Sequence, residues 1–258
     1  MLREIWALRH FWLALAKHDL KDRYRRSFVG IGWSFIKPAV MTAILTVVFT
    51  SVFAVPVREY APFVFLGIIT WQFFTESMLQ GCNAVRLGAT YLRVRPIPLA
   101  IFPLRVVLSA GVHAGLGLIA AVTALGCMQG STNAVALLWL LPAAATFVIA
   151  AWSLACLCAI LHARYSDTQQ VVEISLQILF YATPVIYMPA SLQQTGWLHT
   201  LIACNPFSAF LDLVRQPLLY GEAPRFASLA IVVTFTAALA VIAWVALQRV
   251  EKRVVLWL

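Results

Sequence analysis

Charge is scarce in this chain: Asp, Glu, Lys and Arg make up 11% of its 258 residues, hydrophobic residues make up 62%, and only ten residues are acidic. Soluble globular domains carry about 25% charged residues, so a water-soluble enzyme or binding module is excluded and the question becomes one of transport or lipid-phase chemistry. Nucleotide and metal signatures are also missing. No Gly-x-x-x-x-Gly-Lys-Ser/Thr run occurs, so the chain offers no loop of its own for ATP phosphates, and neither His-Glu-x-x-His nor paired metal ligands occur. Cysteine is infrequent and odd in number: Cys82, Cys127, Cys156, Cys158 and Cys204. Cys156 and Cys158 point in different directions on a helix, so neither a disulfide framework nor a metal site follows, and these residues serve as small apolar side chains. Only Cys204, in an outer loop, is placed to meet an oxidising compartment. The first 27 residues alternate charged and apolar groups without an uninterrupted apolar run, so no cleavable signal peptide is expected.

Long apolar stretches are what the chain does have. Six segments approach the roughly 17–25 residues that a bilayer-spanning helix needs: about 37–55, 63–79, 106–128, 134–161, 168–187 and 226–248. The basic residues then partition sharply. Sixteen of the nineteen Lys and Arg fall in the N-terminal arm, the second loop, the fourth loop and the tail; only Arg58, Arg215 and Arg225 fall on the other side. Basic flanks are retained in the cytosol during insertion, so both termini are expected to be cytoplasmic. A five-span or seven-span count would scramble this asymmetry. The net charge of +9 flanks apolar spans instead of forming a free patch, so nucleic acid is not an expected partner. Charges within the spans are few. Glu76 lies about 13 residues into an inward-running span, roughly 20 Å down and near the inner interface, where it could pair with Arg86 or face water. Glu173 sits at a similar depth near the start of span five. Neither supports a midplane proton relay, and no inverted 3+3 similarity is evident, which argues against an ion-coupled carrier.

Outside the spans, residues 2–20 read as an interfacial amphipathic helix, with Leu2, Ile5, Trp6, Trp12, Leu13, Ala16 and Leu20 on one side and Arg9 interrupting that stripe. Such a helix is either a simple anchor or a rest for a cytosolic partner. The second loop, residues 83–105, places Val85, Ala89 and Leu92 at helical spacing before Pro96 and Pro98. It is either a short helix able to dock into a partner's groove or a basic loop that holds topology. Residues 188–225 carry too much apolar surface for a solvated loop in segments too short to span, so they are expected to form a structured lid at the outer face. His162 and Asp167 match the His-x-x-x-x-Asp spacing of glycerolipid acyltransferases, but in a turn with no domain to hold an acyl donor. The rings of Trp71, Phe74, Phe180, Tyr181 and Tyr187 are either packing residues or flat faces along a sugar pathway.

In order along the chain come Arg23-Tyr24-x-x-Ser27-x-x-Gly30-x-x-Trp33 with Pro38, Arg164-Tyr165-x-Asp167, Thr183-Pro184-x-x-Tyr187 and Asn205-Pro206. This series resembles the membrane permeases of type-2 ABC exporters for polysaccharides such as O-antigen, teichoic acid or capsule, over essentially the whole chain. The resemblance implies a single all-α integral membrane domain over residues 1–258, with an interfacial helix (1–28), six spans, a cytosolic coupling helix and outer re-entrant gate helices, in the bacterial inner membrane. It further implies a homodimer of this non-catalytic subunit, with two separate ATPase chains that hold the ATP and Mg; this chain itself would bind no cofactor and no metal. Arg86, Tyr91, Leu92, Arg93, Val94, Arg95, Pro96 and Pro98 would form the ATPase-coupling segment. Pro184, Pro189, Asn205 and Pro206 would shape the outer gate, and the five rings above would lie on the path of a lipid-linked glycan. A permease of the same class for a small lipid or drug would share nearly all these features.

Overall fold

A computed structural model describes residues 2–25, 27–53, 55–94, 97–129, 134–188, 196, 202 and 204–250; every structural statement here concerns these residues. They form α-helices with no strand among them. The order is α1 (Leu2–Ala7), α2 (Arg9–Tyr24), α3 (Trp33–Phe53), α4 (Val57–Leu87), α5 (Ala89–Val94), α6 (Ile101–Gln129), α7 (Ala134–Leu137), α8 (Leu140–Arg164), α9 (Thr168–Ala182), α10 (Pro206–Arg215) and α11 (Phe226–Val250). A 3₁₀ turn, Gly30–Gly32, precedes α3, and a π-helical turn, Gln216–Tyr220, follows α10.

Five of these helices (α3, α4, α6, α8 and α11) are long and apolar enough to cross a membrane. They run past the expected limits of the spans because backbone hydrogen bonding does not stop at the membrane boundary. The 31 residues of α4 extend about 46 Å, well beyond a hydrocarbon core of about 30 Å. The expected span at 134–161 divides instead into the single turn α7 and the long α8. Within the expected fifth span, 168–187, the helix is shorter than the apolar stretch. It ends at Ala182, after 15 residues or about 22 Å, because Pro184 has no N–H to continue the ladder.

Central and peripheral helices differ in what they bury. The most apolar windows of α4 and α8 are 56% and 50% buried, whereas those of α3 and α11 are 17% buried and present Val40, Ile44, Val241 and Ile242 outward. Small residues let the two central helices approach. Ala151, Ala155 and Ala159 recur every four residues on α8, and a Cβ added to Gly81 of α4 would lie 2.9 Å from the Ala155 Cβ. The rest of the core is aromatic. Phe74 of α4 and Phe147 of α8 meet Phe210 of α10 at ring-centroid distances of 5.0 and 4.9 Å, and Phe207 packs on Phe74 at 5.3 Å. The helix α10 is thus inserted into the bundle, with Phe207–Leu211 and Leu213–Arg215 all buried. Residues 189–195 and 197–201, with Pro189 among them, lie outside the described residues.

At the N-terminus the expected continuous stripe breaks at Leu8, between α1 and α2. Ile5, Leu15 and Ala16 turn inward while Trp6 and Leu13 stay exposed. The Trp12 indole N–H donates to the Ile5 carbonyl at 3.0 Å, bridging the break, and the Arg9 guanidinium lies 5.8 Å from the Trp6 ring.

Candidate functional site

The Arg23-to-Trp33 motif is a hinge between the interface helix and the first long helix. The Ser27 hydroxyl accepts from the Gly30 N–H at 3.1 Å, and Gly30 has φ +57°, a left-handed conformation that glycine adopts without a Cβ penalty. The chain then winds through the 3₁₀ turn into α3, with Trp33 exposed at its start. Two side chains ahead of the hinge latch α2 to the spans. The Arg23 guanidinium grips the Glu76 carboxylate bidentately, both bonds at 3.2 Å, and the Gln72 amide donates to the same carboxylate. Glu76 therefore pairs with Arg23 and not with Arg86. The Tyr24 and Ser34 hydroxyls and His113 Nδ1 form a closed triangle of 3.0, 3.0 and 2.8 Å. Further back, Asp19 lies 3.4 Å from Arg105; burial raises the Asp19 pKa and the Arg105 charge opposes that rise. Arg23, Tyr24, Ser34, Gln72, Glu76 and His113 line a cavity of about 140 Å³ together with Lys37.

The expected coupling segment is largely helical. The helix α4 continues to Leu87, and α5 follows after Gly88, where an added Cβ would lie 2.4 Å from the Phe102 ring. Leu92, Arg93 and Val94 fall in α5, Pro98 follows it, and Arg95 and Pro96 lie outside the described residues. The Tyr91 ring is partly exposed and packs edge-on against Phe11 of α2 at 5.8 Å, so the segment and the interface helix share a contact. Arg86 turns away from α5 and donates to the His162 carbonyl at 3.3 Å, bracing α4 on the end of α8. Nearby, the Trp152 indole donates to the Ala100 carbonyl at 2.9 Å.

The outer site is assembled around the broken end of α9. Residues 182–186 present carbonyls that a continuing helix would have used. Each is met by a side chain except that of Thr183, which accepts locally from Val185 N–H. Arg215, buried, donates to Pro184 O at 2.7 Å, Val185 O at 2.8 Å and Phe63 O at 3.0 Å, with its guanidinium 3.5 Å over the Phe63 ring. The Tyr60 hydroxyl donates to Ile186 O at 2.6 Å, and the Asn205 amide donates to the Thr183 hydroxyl at 2.9 Å and Ala182 O at 3.4 Å. Asn205 also caps α10, accepting from Phe207 N–H, with Pro206 at the first helical position. Gly67 makes room for all this: an added Cβ would sit 2.4 Å from Arg215 Nη2. Pro184, Asn205 and Pro206 therefore meet in one structure, joined by Arg215 and Tyr60, which sequence reasoning did not single out. The available signal was an arginine inside the apolar series Phe207, Phe210, Leu211, Val214 and Leu218, since an ionisable residue at membrane depth is functional by default.

The five aromatic candidates separate. Trp71 and Phe74 are 8% and 1% exposed within the core of one chain, so neither presents a ring to a pathway in this conformation. Phe180 and Tyr187 are half-buried, and Tyr181 is 62% exposed. On α9 the residues Gln170, Glu173, Gln177 and Tyr181 all lie exposed at helical spacing, while Leu176 faces inward. His162 is buried at 3% exposure while Asp167 is exposed at the start of α9, and no hydrogen bond joins them among the described residues.

The described residues form a helical bundle with five helices long and apolar enough to cross a membrane, a multi-pass membrane protein. The ABC-2 type transporter profile matches residues 10–219, and the chain belongs to that family. Among curated proteins, it is 26% identical over 214 residues to the O-antigen export system permease protein RfbA of Myxococcus xanthus, covering 82% of this chain and 81% of that one. Two permeases of the same name from Klebsiella pneumoniae are 24% and 25% identical over 211 residues, covering 81% of this chain and 80% of each relative.

Proposed function

We propose that this chain is the channel-forming subunit of an ATP-driven exporter that moves a lipid-linked, O-antigen-like polysaccharide out of the cytoplasm across the bacterial inner membrane. The observation that carries this reading is the α9 stripe of Gln170, Glu173, Gln177 and Tyr181. Polar side chains facing lipid are costly, so this face calls for a water-filled path and a second copy of the chain. The exposed face of α9 is mixed, since Val171, Ile174 and Ile178 stand beside these polar groups; amides, a carboxylate and a ring among apolar side chains suit a hydroxyl-rich polymer on a lipid carrier better than a purely apolar cargo. In this scheme α9 with residues 183–188 makes the sixth crossing, and both termini are cytosolic, consistent with the basic flanks.

Two ATPase subunits, carrying the ATP and Mg, dock beneath the dimer at α5 and the residues up to Pro98. ATP binding closes the ATPase pair and pushes α5; the Tyr91–Phe11 contact passes that movement to α2, and the Arg23 and Tyr24 latch passes it to α4, α3 and α6. The outer break then opens. This chain binds no cofactor and performs no chemistry. A transferase resting on His162 and Asp167 is disfavoured because one is sealed and the other exposed, with no bond between them.

Disrupting this chain in its native host tests the function: surface polysaccharide should vanish and lipid-linked glycan should accumulate on the cytoplasmic side. Unchanged surface polysaccharide would refute the reading. Purification in mild detergent should recover a near-stoichiometric soluble ATPase, and R93E with R95E should release it. Retained association and export in that variant would sink the docking assignment.

A further inference from the structure

Two cavities follow one another along the seam between α3, α4 and α6. The inner one is the polar cavity of about 140 Å³ at the hinge, lined by Arg23, Lys37, Glu76 and His113. The outer one is a groove of about 590 Å³ whose lining, including Phe35, Ala39, Phe65 and Leu125, contains no charged side chain. Both draw on the same three helices in the same spatial order. On α3 the lining moves from Ser34 to Thr46, on α6 from Ala110 to Ala124, and on the oppositely directed α4 from Glu76 back to Pro62. Between the two sets of lining residues, Ile69 of α4 lines the polar cavity and lies against Gly117 of α6, where an added Cβ would come within 2.9 Å of Ile69 Cδ1. A seam that is charged at one end and apolar for the rest of its length has the profile of an amphiphile.

The charges at the polar end select the headgroup. Arg23 is matched by Glu76, and Tyr24, Ser34 and His113 satisfy one another. Lys37 is exposed, with no acidic partner among the described residues. The cavity thus carries one surplus positive charge, which fits a monoanionic phosphodiester. A pyrophosphate would bring more negative charge than this cavity balances, beside a carboxylate that repels it. Trp33 lines the same end, where an indole sits well at headgroup level. Thr42 and Thr46, both buried, line the groove with hydroxyls that have no hydrogen-bond partner among the described residues.

We propose that the α3/α4/α6 seam binds an anionic glycerophospholipid of the surrounding bilayer, its phosphodiester at Lys37 beside Trp33 and an acyl chain along Phe35 and Ala39. This goes beyond the export reading and holds whatever the cargo. The bound lipid sits where the hinge meets α4, so it ties the latch to the charge of the inner leaflet.

The test is native mass spectrometry of the full chain, with its co-purifying partner, titrated with phosphatidylglycerol and separately with phosphatidylcholine. The wild type should retain phosphatidylglycerol about fivefold more tightly, the worth of one basic residue near a membrane surface. Lys37→Gln should abolish that preference, and Ala39→Phe, which fills the groove from an exposed position, should weaken both lipids. Equal retention of the two lipids by the wild type, or a preference that survives Lys37→Gln, overturns the proposal. Displacement of phosphatidylglycerol by equimolar polyprenyl pyrophosphate would also overturn it, by reassigning the seam to a glycan carrier. None of these readouts depends on surface polysaccharide, so failure here is distinct from failure of the export reading.

Discussion

Arg23 and Arg215 both brace α4, one towards each end, in opposite surroundings. Arg23 is about one-third exposed and meets a carboxylate that is itself reachable by water. Arg215 is sealed, has no carboxylate within ion-pairing distance among the described residues, and spends its donors on three backbone carbonyls and its flat face on a ring. The difference lies in what remains when the arginine lets go. Water replaces the partners of Arg23 and Glu76, so that contact can break and reform within a working cycle. Nothing replaces the guanidinium for Pro184, Val185 and Phe63, so the outer contact fixes the end of α9 and has to move as one body with α10. The inner latch is suited to transmitting a movement, and the outer one to defining what moves.

Removing Arg215 should have the largest effect. Arg215→Met leaves three buried carbonyls unmet and should destabilise the protein by about 3–5 kcal/mol, read as a lowered melting temperature in detergent and loss of monodisperse material. Arg215→Lys should rescue little, because an ammonium cannot reach three carbonyls with a planar fork. Gly67→Ala attacks the same bolt from α4 and should cost about 1–3 kcal/mol through overpacking against Arg215 and Val185. Tyr60→Phe removes one hydrogen bond to Ile186 O, with an expected loss of about 1–2 kcal/mol and a more protease-sensitive outer face. Arg23→Gln should change stability least, by less than about 1 kcal/mol, yet lower export in cells while ATPase association persists. The exchanged pair R23E/E76R should recover export. If Arg23→Gln destabilises as much as Arg215→Met, the contrast between a working latch and a fixed bolt fails.

Much of this fold is legible in the sequence because long apolar runs and basic flanks are local properties. The hinge motif is also legible residue by residue: Ser27 caps, Gly30 supplies the positive φ, and Trp33 opens α3. Periodicity could not find the ends of the helices. Glu59 and Arg86 are charged, yet they continue α4 beyond the apolar stretch, and only Pro184 marks where α9 stops. The aromatic candidates show the same limit. Trp71, Phe74 and Tyr181 look alike in sequence, and only packing decides that the first two are core and the third is exposed. His113, Ser34 and Gln72 carry no motif, so their meeting with Tyr24 and Glu76 was invisible before the helices were brought together.

By itself the sequence determined that the chain is helical and lies in a membrane, with basic residues flanking its long apolar runs. Those outcomes follow from composition, run length and charge order, which act before any tertiary contact forms. The tertiary structure alone decided that Glu76 answers Arg23, that α10 enters the core, and that Arg215 closes the broken end of α9. These pairings join residues 30 to 152 positions apart, and they are chosen by which carbonyls and side chains the packed bundle brings together, a property of the assembled helices and not of any single segment.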